Sequence, residues 1–188
     1  ELIEPGSRVL DLGCGDGTLL EELVTRKQVI GRGVEIDERH VLESVKRGLA
    51  VYHGDLLEGL SFYGDRSFDT VILSQTLQQT LDPRKVLREM LRVGRRAVIS
   101  FPNFGHWSIR LQLCFLGRMP RTRHLPYQWY DTPNVHLLTV RDFRHFAQRE
   151  NVRVLRQKFL SSRGTPITPV WENLRASVAI FQLEKMDD

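Results

Sequence analysis

The sequence predicts an α/β fold, a doubly wound and mostly parallel sheet with helices on both faces, and three observations support this. Segments with strand-like and helix-like patterns alternate from the first residues to about residue 101. A glycine-rich loop follows the first strand-like segment, as in many ligand-binding α/β folds. Residues 68–73 form the clearest predicted strand, since Phe68 and the apolar run Val71-Ile72-Leu73 are typical of a strand buried on both faces of a parallel sheet. The tally of five β/α units and a late strand pair predicts seven strands, with an antiparallel strand at the end of the chain.

The first half of the chain contains four predicted strands, at residues 8–12, 30–36, 49–52 and 68–73. Two helices separate the first three strands. Their expected core positions are Leu19, Leu20, Leu23 and Val24 in the first helix, and Val41, Leu42 and Val45 in the second. Asp37 is expected to cap the second helix, because its carboxylate can accept a hydrogen bond from the free N–H groups of the first turn, and Gly48 ends the helix.

The second half begins with a helix that Asp82 caps, with proline at its first position and an apolar face formed by Val86, Leu87, Met90 and Leu91. A strand at 97–101 follows. An amphipathic helix that ends at Gly117 is then expected, with Trp107, Leu111, Cys114 and Phe115 on its apolar side. A capping box at residues 139–142 opens a last helix, and strands at 152–160 and 176–183 are expected to form an antiparallel edge pair. We expect one domain over residues 1–188, with residues 103–138 as an insertion above the sheet.

Composition and charge exclude several classes of protein. With 27 Lys and Arg against 23 Asp and Glu, the formal net charge is +4, which permits acidic partners without requiring them. The two cysteines, Cys14 and Cys114, lie far apart and outside any Cys/His cluster, so neither a disulfide framework nor a metal site is predicted, and a reducing cytoplasm fits. No signal peptide is visible, and charged residues interrupt the most apolar stretch after residue 100 too soon for a membrane span.

The loop after the first strand carries the most informative motif, a G-x-G-x-G spacing at Gly13, Gly15 and Gly17. Glycines there let a ligand approach the backbone closely, and the helix that follows offers free N–H groups. The spacing differs from the G-x-G-x-x-G that holds a dinucleotide pyrophosphate. Glu35 ends the second strand, where a carboxylate can accept both hydroxyls of a ribose, and Asp55 follows the third strand, where it can meet an adenine amino group. Taken singly, Asp11 could equally cap a turn and Glu35 could be a solvated strand end.

In this order, these features resemble the class I S-adenosylmethionine-dependent methyltransferase fold, which is Rossmann-like. The resemblance implies a seven-stranded sheet with S-adenosylmethionine or S-adenosylhomocysteine bound across the carboxyl ends of strands one and two. The residues that it places around this ligand are Asp11, Gly13, Cys14, Gly15, Glu35, Ile36, Asp55, Leu56 and Ser74.

Four later segments carry a narrower resemblance, at residues 73–78, 86–96, 100–107 and 125–136. The third reads Ser100-Phe101-Pro102-Asn103-Phe104-Gly105-His106-Trp107, and the fourth runs from Leu125-Pro126-Tyr127-Gln128-Trp129-Tyr130 to His136. Together they resemble the MetW family of methionine-biosynthesis proteins over about residues 5–160. The resemblance implies an accessory role in support of homoserine O-acyltransferase, the enzyme that activates homoserine, and it implies no methyl-transfer reaction.

The residues themselves offer little support for catalysis of methyl transfer. Attack on a sulfonium needs alignment, and it needs a base when the nucleophile carries a proton. His106 and His136 are the candidate bases, although each is also readable as a hydrogen-bonded structural group. The turn after the fourth strand is Ser74-Gln75-Thr76-Leu77, not the Asn-Pro-Pro-aromatic turn often used in amine methylation. An active methyltransferase on a small molecule or protein therefore stays open as the alternative to an accessory protein.

The aromatic and basic segment from Arg118 to His136 has three functional interpretations. It could bind nucleic acid by charge and stacking, close over a small substrate, or dock a protein. The balanced overall charge disfavours nucleic acid, and the resemblance favours docking of homoserine O-acyltransferase. A solvated basic loop, anchored by aromatic rings packed on the sheet, is the structural alternative. The residues expected to contact the partner are Arg118, Arg121, Tyr127, Trp129 and Tyr130.

Overall fold

A single sheet of eight strands, in the order β3-β2-β1-β4-β5-β8-β6-β7, organises the computed structural model, which describes residues 2–186. The strands are β1 (Arg8–Leu12), β2 (Ile30–Glu35), β3 (Ala50–His53), β4 (Phe68–Ser74), β5 (Gly94–Pro102), β6 (Val152–Leu160), β7 (Pro166–Ile167) and β8 (Val178–Lys185). Neighbours among β1 to β5 are parallel, and β8 lies antiparallel between β5 and β6. The doubly wound, mostly parallel prediction is confirmed. The eighth strand is the two-residue β7, which pairs with the end of β6.

The helices connect these strands and are mostly short. They are α1 (Thr18–Lys27), α2 (Glu38–Lys46), α3 (Leu56–Ser61), α4 (Pro83–Val93), α5 (Trp107–Leu111), α6 (Val140–Arg149) and α7 (Glu172–Arg175). The sequence pattern did not reveal α3, because six residues with a glycine near their middle are too few to show a helical period. Within residues 2–186, no helix has both the length and the apolar character needed to cross a membrane.

The sheet separates two apolar clusters, because successive side chains of a strand point to opposite faces. Val71 and Leu73 of β4 belong to the larger cluster, which includes residues of α4 and α6, whereas Ile72 belongs to the smaller one with Leu20 of α1. The predicted core face of α4 is confirmed, since all four of its apolar residues are buried. Burial of each such side chain contributes roughly 1.5–3 kcal/mol, so these contacts fix the sheet on which the loops stand.

The predicted core face of α2 is wrong for two of its three residues. Leu42 and Val45 are exposed, and Ser44 is the buried residue of this helix. The Ser44 hydroxyl donates to the Gly15 carbonyl oxygen at 3.0 Å. This helix therefore packs against the glycine loop with a small polar side chain, where a larger apolar residue would not fit.

The prediction of a buried apolar face over residues 107–117 is also wrong. Here α5 continues into a π-helical turn, Gln112–Leu116, and Ile109 is the buried apolar residue of this stretch. The four residues assigned to the apolar face, namely Trp107, Leu111, Cys114 and Phe115, are exposed. In α5 the side that carries Ile109 is buried, so Trp107 and Leu111 face solvent, and the π turn that follows changes the spacing of the later residues.

Candidate functional site at the carboxyl edge of the sheet

The predicted ligand residues lie where the winding direction of the sheet reverses, between β1 and β4. Leu12 at the end of β1 pairs with Val34 of β2 on one side and with Leu73 of β4 on the other. The strands are parallel, so the loops that follow them leave from the same edge. Ligands of open α/β sheets bind in the crevice at such a switch point.

The glycine loop uses its three glycines in different ways. All three have a positive φ, +66° at Gly13, +57° at Gly15 and +79° at Gly17, a region that residues with a Cβ rarely adopt. A Cβ added at Gly13 would lie 2.9 Å from the Thr76 hydroxyl oxygen, and one at Gly17 would collide with Leu49 and Ser44. A Cβ at Gly15 would meet nothing within 4 Å. Gly13 and Gly17 thus permit close packing, and the space over Gly15 is open.

The Glu35 carboxylate holds two loops together. Its Oε2 accepts the N–H of Gly15 at 2.8 Å, and its Oε1 accepts the N–H groups of Ile36 and Asp37 at 2.9 Å each. The residue is only 7% exposed, which excludes the interpretation of Glu35 as a solvated strand end. A carboxylate accepts about four hydrogen bonds, so one acceptor position remains for a ligand hydroxyl.

Asp11 is a buried carboxyl group beside Glu35. It is 1% exposed, and its Oδ1 has no hydrogen-bond partner in the described part of the chain. Burial, with the nearby charge of Glu35 as the second cause, raises the pKa of Asp11 to about 7. The two carboxyl groups make this corner of the site favourable for a cation.

Cys14 is not suited to nucleophilic chemistry. Burial is the main cause that raises the pKa of its thiol to about 12, and the charges of Asp11 and Glu35 add to it. A thiol in this environment stays protonated at neutral pH and is therefore unreactive. Within residues 2–186, no group of three or more His, Cys, Asp or Glu side chains is arranged to hold a metal ion.

The remaining predicted ligand residues lie at the ends of neighbouring strands. Asp55 follows β3 and caps α3, with its Oδ1 accepting the N–H of Leu57 at 2.8 Å, and Leu56 begins that helix. Ile36 follows β2 and exposes its side chain. Ser74 ends β4, and its hydroxyl lies 3.1 Å from that of Ser100 on β5. The structure thus brings all nine predicted residues to one edge, and their role in ligand binding stays a prediction.

The turn after β4, residues 75–80, joins the glycine loop to the 103–138 segment, a contact that the sequence did not predict. Thr76 approaches Gly13, and the Gln78 carbonyl oxygen accepts the N–H groups of Val135 and His136 at 2.9 Å each. Gln75 has a φ of +57°, an unusual value for a residue with a side chain. Such local strain occurs most often at functional sites, but it leaves no signal in residue composition.

The two candidate bases have different surroundings. The His106 Nδ1 caps α5, 3.3 Å from the Ser108 nitrogen and 2.8 Å from its hydroxyl oxygen. Burial, followed by the charge of His124, lowers the pKa of His106, so its imidazole is neutral at neutral pH. His136 is exposed, and its backbone N–H is bonded to Gln78. The structural role of His106 is therefore visible, and a catalytic role for either histidine stays a prediction.

The aromatic residues of the predicted docking segment are presented to solvent. Trp129 is 71% exposed and Tyr130 is 70% exposed, with their rings in edge-to-face contact at 5.6 Å between centroids. The Arg121 Nε donates to the Pro126 carbonyl oxygen at 3.1 Å and so stiffens the loop, whereas Arg118 is exposed. This exposure excludes the alternative in which these rings anchor the loop on the sheet.

Comparisons with known proteins match both the fold and the later segments. The family model "MetW: Methionine biosynthesis protein MetW" matches residues 1–183. The bifunctional methionine biosynthesis protein MetXA/MetW of Rhodopirellula baltica is 37% identical over 98% of this chain, which spans 32% of that relative's length. The ubiquinone biosynthesis O-methyltransferase of Hahella chejuensis is 32% identical over 48% of the chain, covering 40% of that protein.

Among solved structures, an S-adenosylmethionine-dependent methyltransferase of Mesorhizobium loti superposes with a TM-score of 0.70 at 16% identity. The superposition covers 98% of this chain and 94% of that one. At this identity the likeness shows the Rossmann-like methyltransferase fold alone. The family match extends over nearly all of the sequence, including the segments at 100–107 and 125–136, and the chain therefore belongs to the family of the methionine biosynthesis protein MetW.

Proposed function

We propose that this chain is an S-adenosylmethionine-binding accessory protein of methionine biosynthesis that docks and supports homoserine O-acyltransferase. The observation that carries the proposal is the exposed pair Trp129 and Tyr130, which the 103–138 segment presents near the edge that holds the glycine loop. We interpret that segment as an insertion in one ligand-binding domain. The fused MetXA/MetW relative supports the choice of partner, because fusion holds two proteins at high effective concentration.

The negative character of the site supports S-adenosylmethionine as its ligand. The sulfonium and ammonium groups of this molecule are cationic, and a cation relieves the cost of two neighbouring carboxylates. In this proposal Asp11, Gly13, Cys14 and Gly15 surround the methionine end, and Glu35 accepts a ribose hydroxyl at its remaining acceptor position. Ile36, Asp55, Leu56 and Ser74 complete the site, with Asp55 and Leu56 toward the adenine. The same residues would accept S-adenosylhomocysteine, which lacks the sulfonium charge.

Ligand binding would link the acyltransferase to the supply of the end product, because S-adenosylmethionine is made from methionine. Such regulation requires that the ligand bind the partner-bound and free states with different affinity. The direct measurement is the acyltransferase affinity of this chain with and without saturating S-adenosylmethionine.

We expect Glu35→Ala to weaken S-adenosylmethionine binding by about 1.5–3 kcal/mol, because a charge-assisted hydrogen bond to the ribose is lost. The variant also leaves three backbone N–H groups without their acceptor, so its melting temperature should fall. Titration calorimetry on protein shown to be folded by circular dichroism measures the first effect.

Glu22→Ala, at an exposed position on α1, serves as the control for the Glu35 variant, because it removes a surface carboxylate that pairs with Arg26. It should bind as the wild type does. Wild-type affinity in the Glu35 variant, or no binding heat with either ligand in the wild type, would contradict the site.

We expect Trp129→Ala and Tyr130→Ala each to weaken association with the acyltransferase by about 2 kcal/mol, because buried aromatic residues dominate binding hot spots. Since both rings are exposed in the free protein, neither change should lower its melting temperature by more than a few degrees. Surface plasmon resonance and thermal unfolding on the same samples separate the two effects. Undiminished binding by both folded variants would remove this segment from the interface, and failure of the wild type to bind would contradict the accessory function.

An active methyltransferase is the second candidate, favoured by the partial match to ubiquinone biosynthesis O-methyltransferases. His106, whose ring nitrogen caps α5, and the exposed His136 provide no evident base for it. We therefore expect slow or no transfer of labelled methyl groups from S-adenosylmethionine to a cell extract. Rapid labelling of one acceptor, abolished by Gly13→Val, would favour the enzyme instead.

A further inference from the structure

The loop between β6 and β8, residues 161–177, presents an exposed tryptophan in a strained backbone conformation. Trp171 has φ 57° and ψ 33°, in the left-handed region that bulky residues rarely adopt. The residue is 72% exposed, so burial of its ring does not offset the backbone strain. Strain of this kind persists where the surroundings impose it, and it is concentrated at functional sites.

The surroundings of Trp171 hold this conformation from both sides. Before it, β7 pairs with the end of β6. After it, the Trp171 carbonyl oxygen accepts the N–H groups of Leu174 and Arg175, and Glu172 forms an ion pair with Arg144 of α6. The backbone that carries the ring is therefore fixed before any partner arrives, which reduces the entropy cost of binding.

This loop packs directly on the start of the 103–138 segment. The Asn103 amide nitrogen donates to the carbonyl oxygens of Asn173 at 3.1 Å and Ala176 at 2.8 Å. A Cβ on Gly105 would lie 2.9 Å from the Asn173 carbonyl oxygen. Trp107 and Trp171 are each two residues from this contact, so their Cα atoms lie within about 20 Å of each other, given about 3.5 Å per residue. The two segments thus belong to one surface.

The net positive charge of the molecule lies on the same two segments, because they contain few acidic residues. Residues 103–138 and 161–177 contain six arginines and two acidic residues, Asp131 and Glu172. Their net charge of +4 equals that of the whole chain, so the other residues are balanced. A surface with exposed aromatic rings among arginines is complementary to an apolar pocket with an acidic rim.

We propose that Trp171 is a second docking anchor, which inserts into an apolar pocket with an acidic rim on homoserine O-acyltransferase. The proposal rests on the proposed function and extends its interface to a loop outside the Arg118–His136 segment. A stable interface buries roughly 800 Å² per partner, and the loop at 161–177 adds contact area to that of the Arg118–His136 segment. A protein partner is favoured over an anionic membrane because a relative of this chain occurs fused to MetXA.

Trp171→Gly is the sharpest test, because it removes the ring and relieves the backbone strain in one change. We expect Kd for the acyltransferase to rise at least about tenfold, as for a hot-spot residue. We expect the melting temperature of the free protein to rise by about 2–4 °C, since glycine adopts a positive φ readily. The wild-type affinity should also fall as salt is raised, because the complementary charges are screened.

Gln28→Gly is the matched control. Gln28 has φ 56° and is exposed at the end of α1, far along the chain from both docking segments. The Gln28→Gly variant should show a gain in melting temperature similar to that of Trp171→Gly, and its Kd for the acyltransferase should equal that of the wild type.

Each other outcome has a distinct meaning. If the wild type binds the acyltransferase and Trp171→Gly binds equally well, the second anchor is wrong while the proposed function stands. A fall in the melting temperature of Trp171→Gly would show that the ring is a structural packing element and would overturn the proposal. Failure of the wild type to bind would contradict the proposed function and the anchor together. Trp171-dependent binding to phosphatidylserine vesicles in place of the acyltransferase would assign this surface to a membrane.

Discussion

As the pH rises from 4 to 8, the free energy of unfolding of the wild type is expected to fall by about 4 kcal/mol relative to that of the Asp11→Asn variant. The folded-state pKa of Asp11 is raised from 3.8 to about 7, chiefly by burial. Between these two values the folded protein binds one proton more than the unfolded chain, so wild-type stability falls as pH rises. About three pKa units at 1.36 kcal/mol each give the expected loss. The asparagine of the variant cannot ionise, so the variant does not show this loss of stability.

Urea unfolding of both proteins across this pH range measures the difference. Asp16→Asn in the same loop is the control, because Asp16 is half-exposed and hydrogen bonds from Thr18 lower its pKa. The contribution of Asp16 has the opposite sign, because a carboxyl group with a lowered folded-state pKa stabilises the protein at pH values above its unfolded-state pKa. Parallel stability curves for the wild type and Asp11→Asn would show that Asp11 is not buried with a raised pKa.

Gly13→Val is expected to weaken S-adenosylmethionine binding by at least about 100-fold. Valine is disfavoured at φ +66°, and its Cβ would lie 2.9 Å from the Thr76 hydroxyl oxygen, which is itself hydrogen bonded to the Ser74 carbonyl oxygen. Backbone strain alone costs about 1–3 kcal/mol, and displacement of the loop adds to it. Titration calorimetry with S-adenosylmethionine measures the loss.

The matched control for this change is Gly64→Val. Gly64 lies in an exposed turn, and a Cβ there would contact only the Ser67 hydroxyl at 3.8 Å. That variant should bind the ligand normally. Strong binding by folded Gly13→Val would show that the ligand does not depend on the shape of this loop.

Local features of the fold were predictable from the sequence. The caps are one example, since Asp37 accepts from the Arg39 N–H, Asp82 accepts from the Lys85 N–H, and the capping box at residues 139–142 is present. Each depends on residues within one turn, where the spacing along the chain fixes the geometry. Phe68 and the apolar run Val71-Ile72-Leu73 of β4 likewise indicated a strand buried on both faces.

The candidate site was predictable only as a set of strand ends. Parallel strands bring Asp11, Glu35, Asp55 and Ser74 to one edge, so their positions follow from the alternation of strands and helices. The second role of Glu35, as the acceptor that ties the glycine loop to β2, did not follow, because it depends on three backbone N–H groups from two loops.

Sequence patterns thus predicted the alternation of strands and helices apart from the short elements α3, β7 and α7, together with the helix caps, the glycine loop and the family to which the chain belongs. Three features became visible only in the folded chain: β8 lies between β5 and β6, Trp107 and Phe115 face solvent, and Trp171 is strained and exposed. These two groups of features differ in the distance along the chain over which the interactions that produce them act. Caps and apolar periodicity act between residues a few positions apart, whereas burial and backbone strain depend on contacts between segments as distant as Asn103 and Asn173, which no local pattern records.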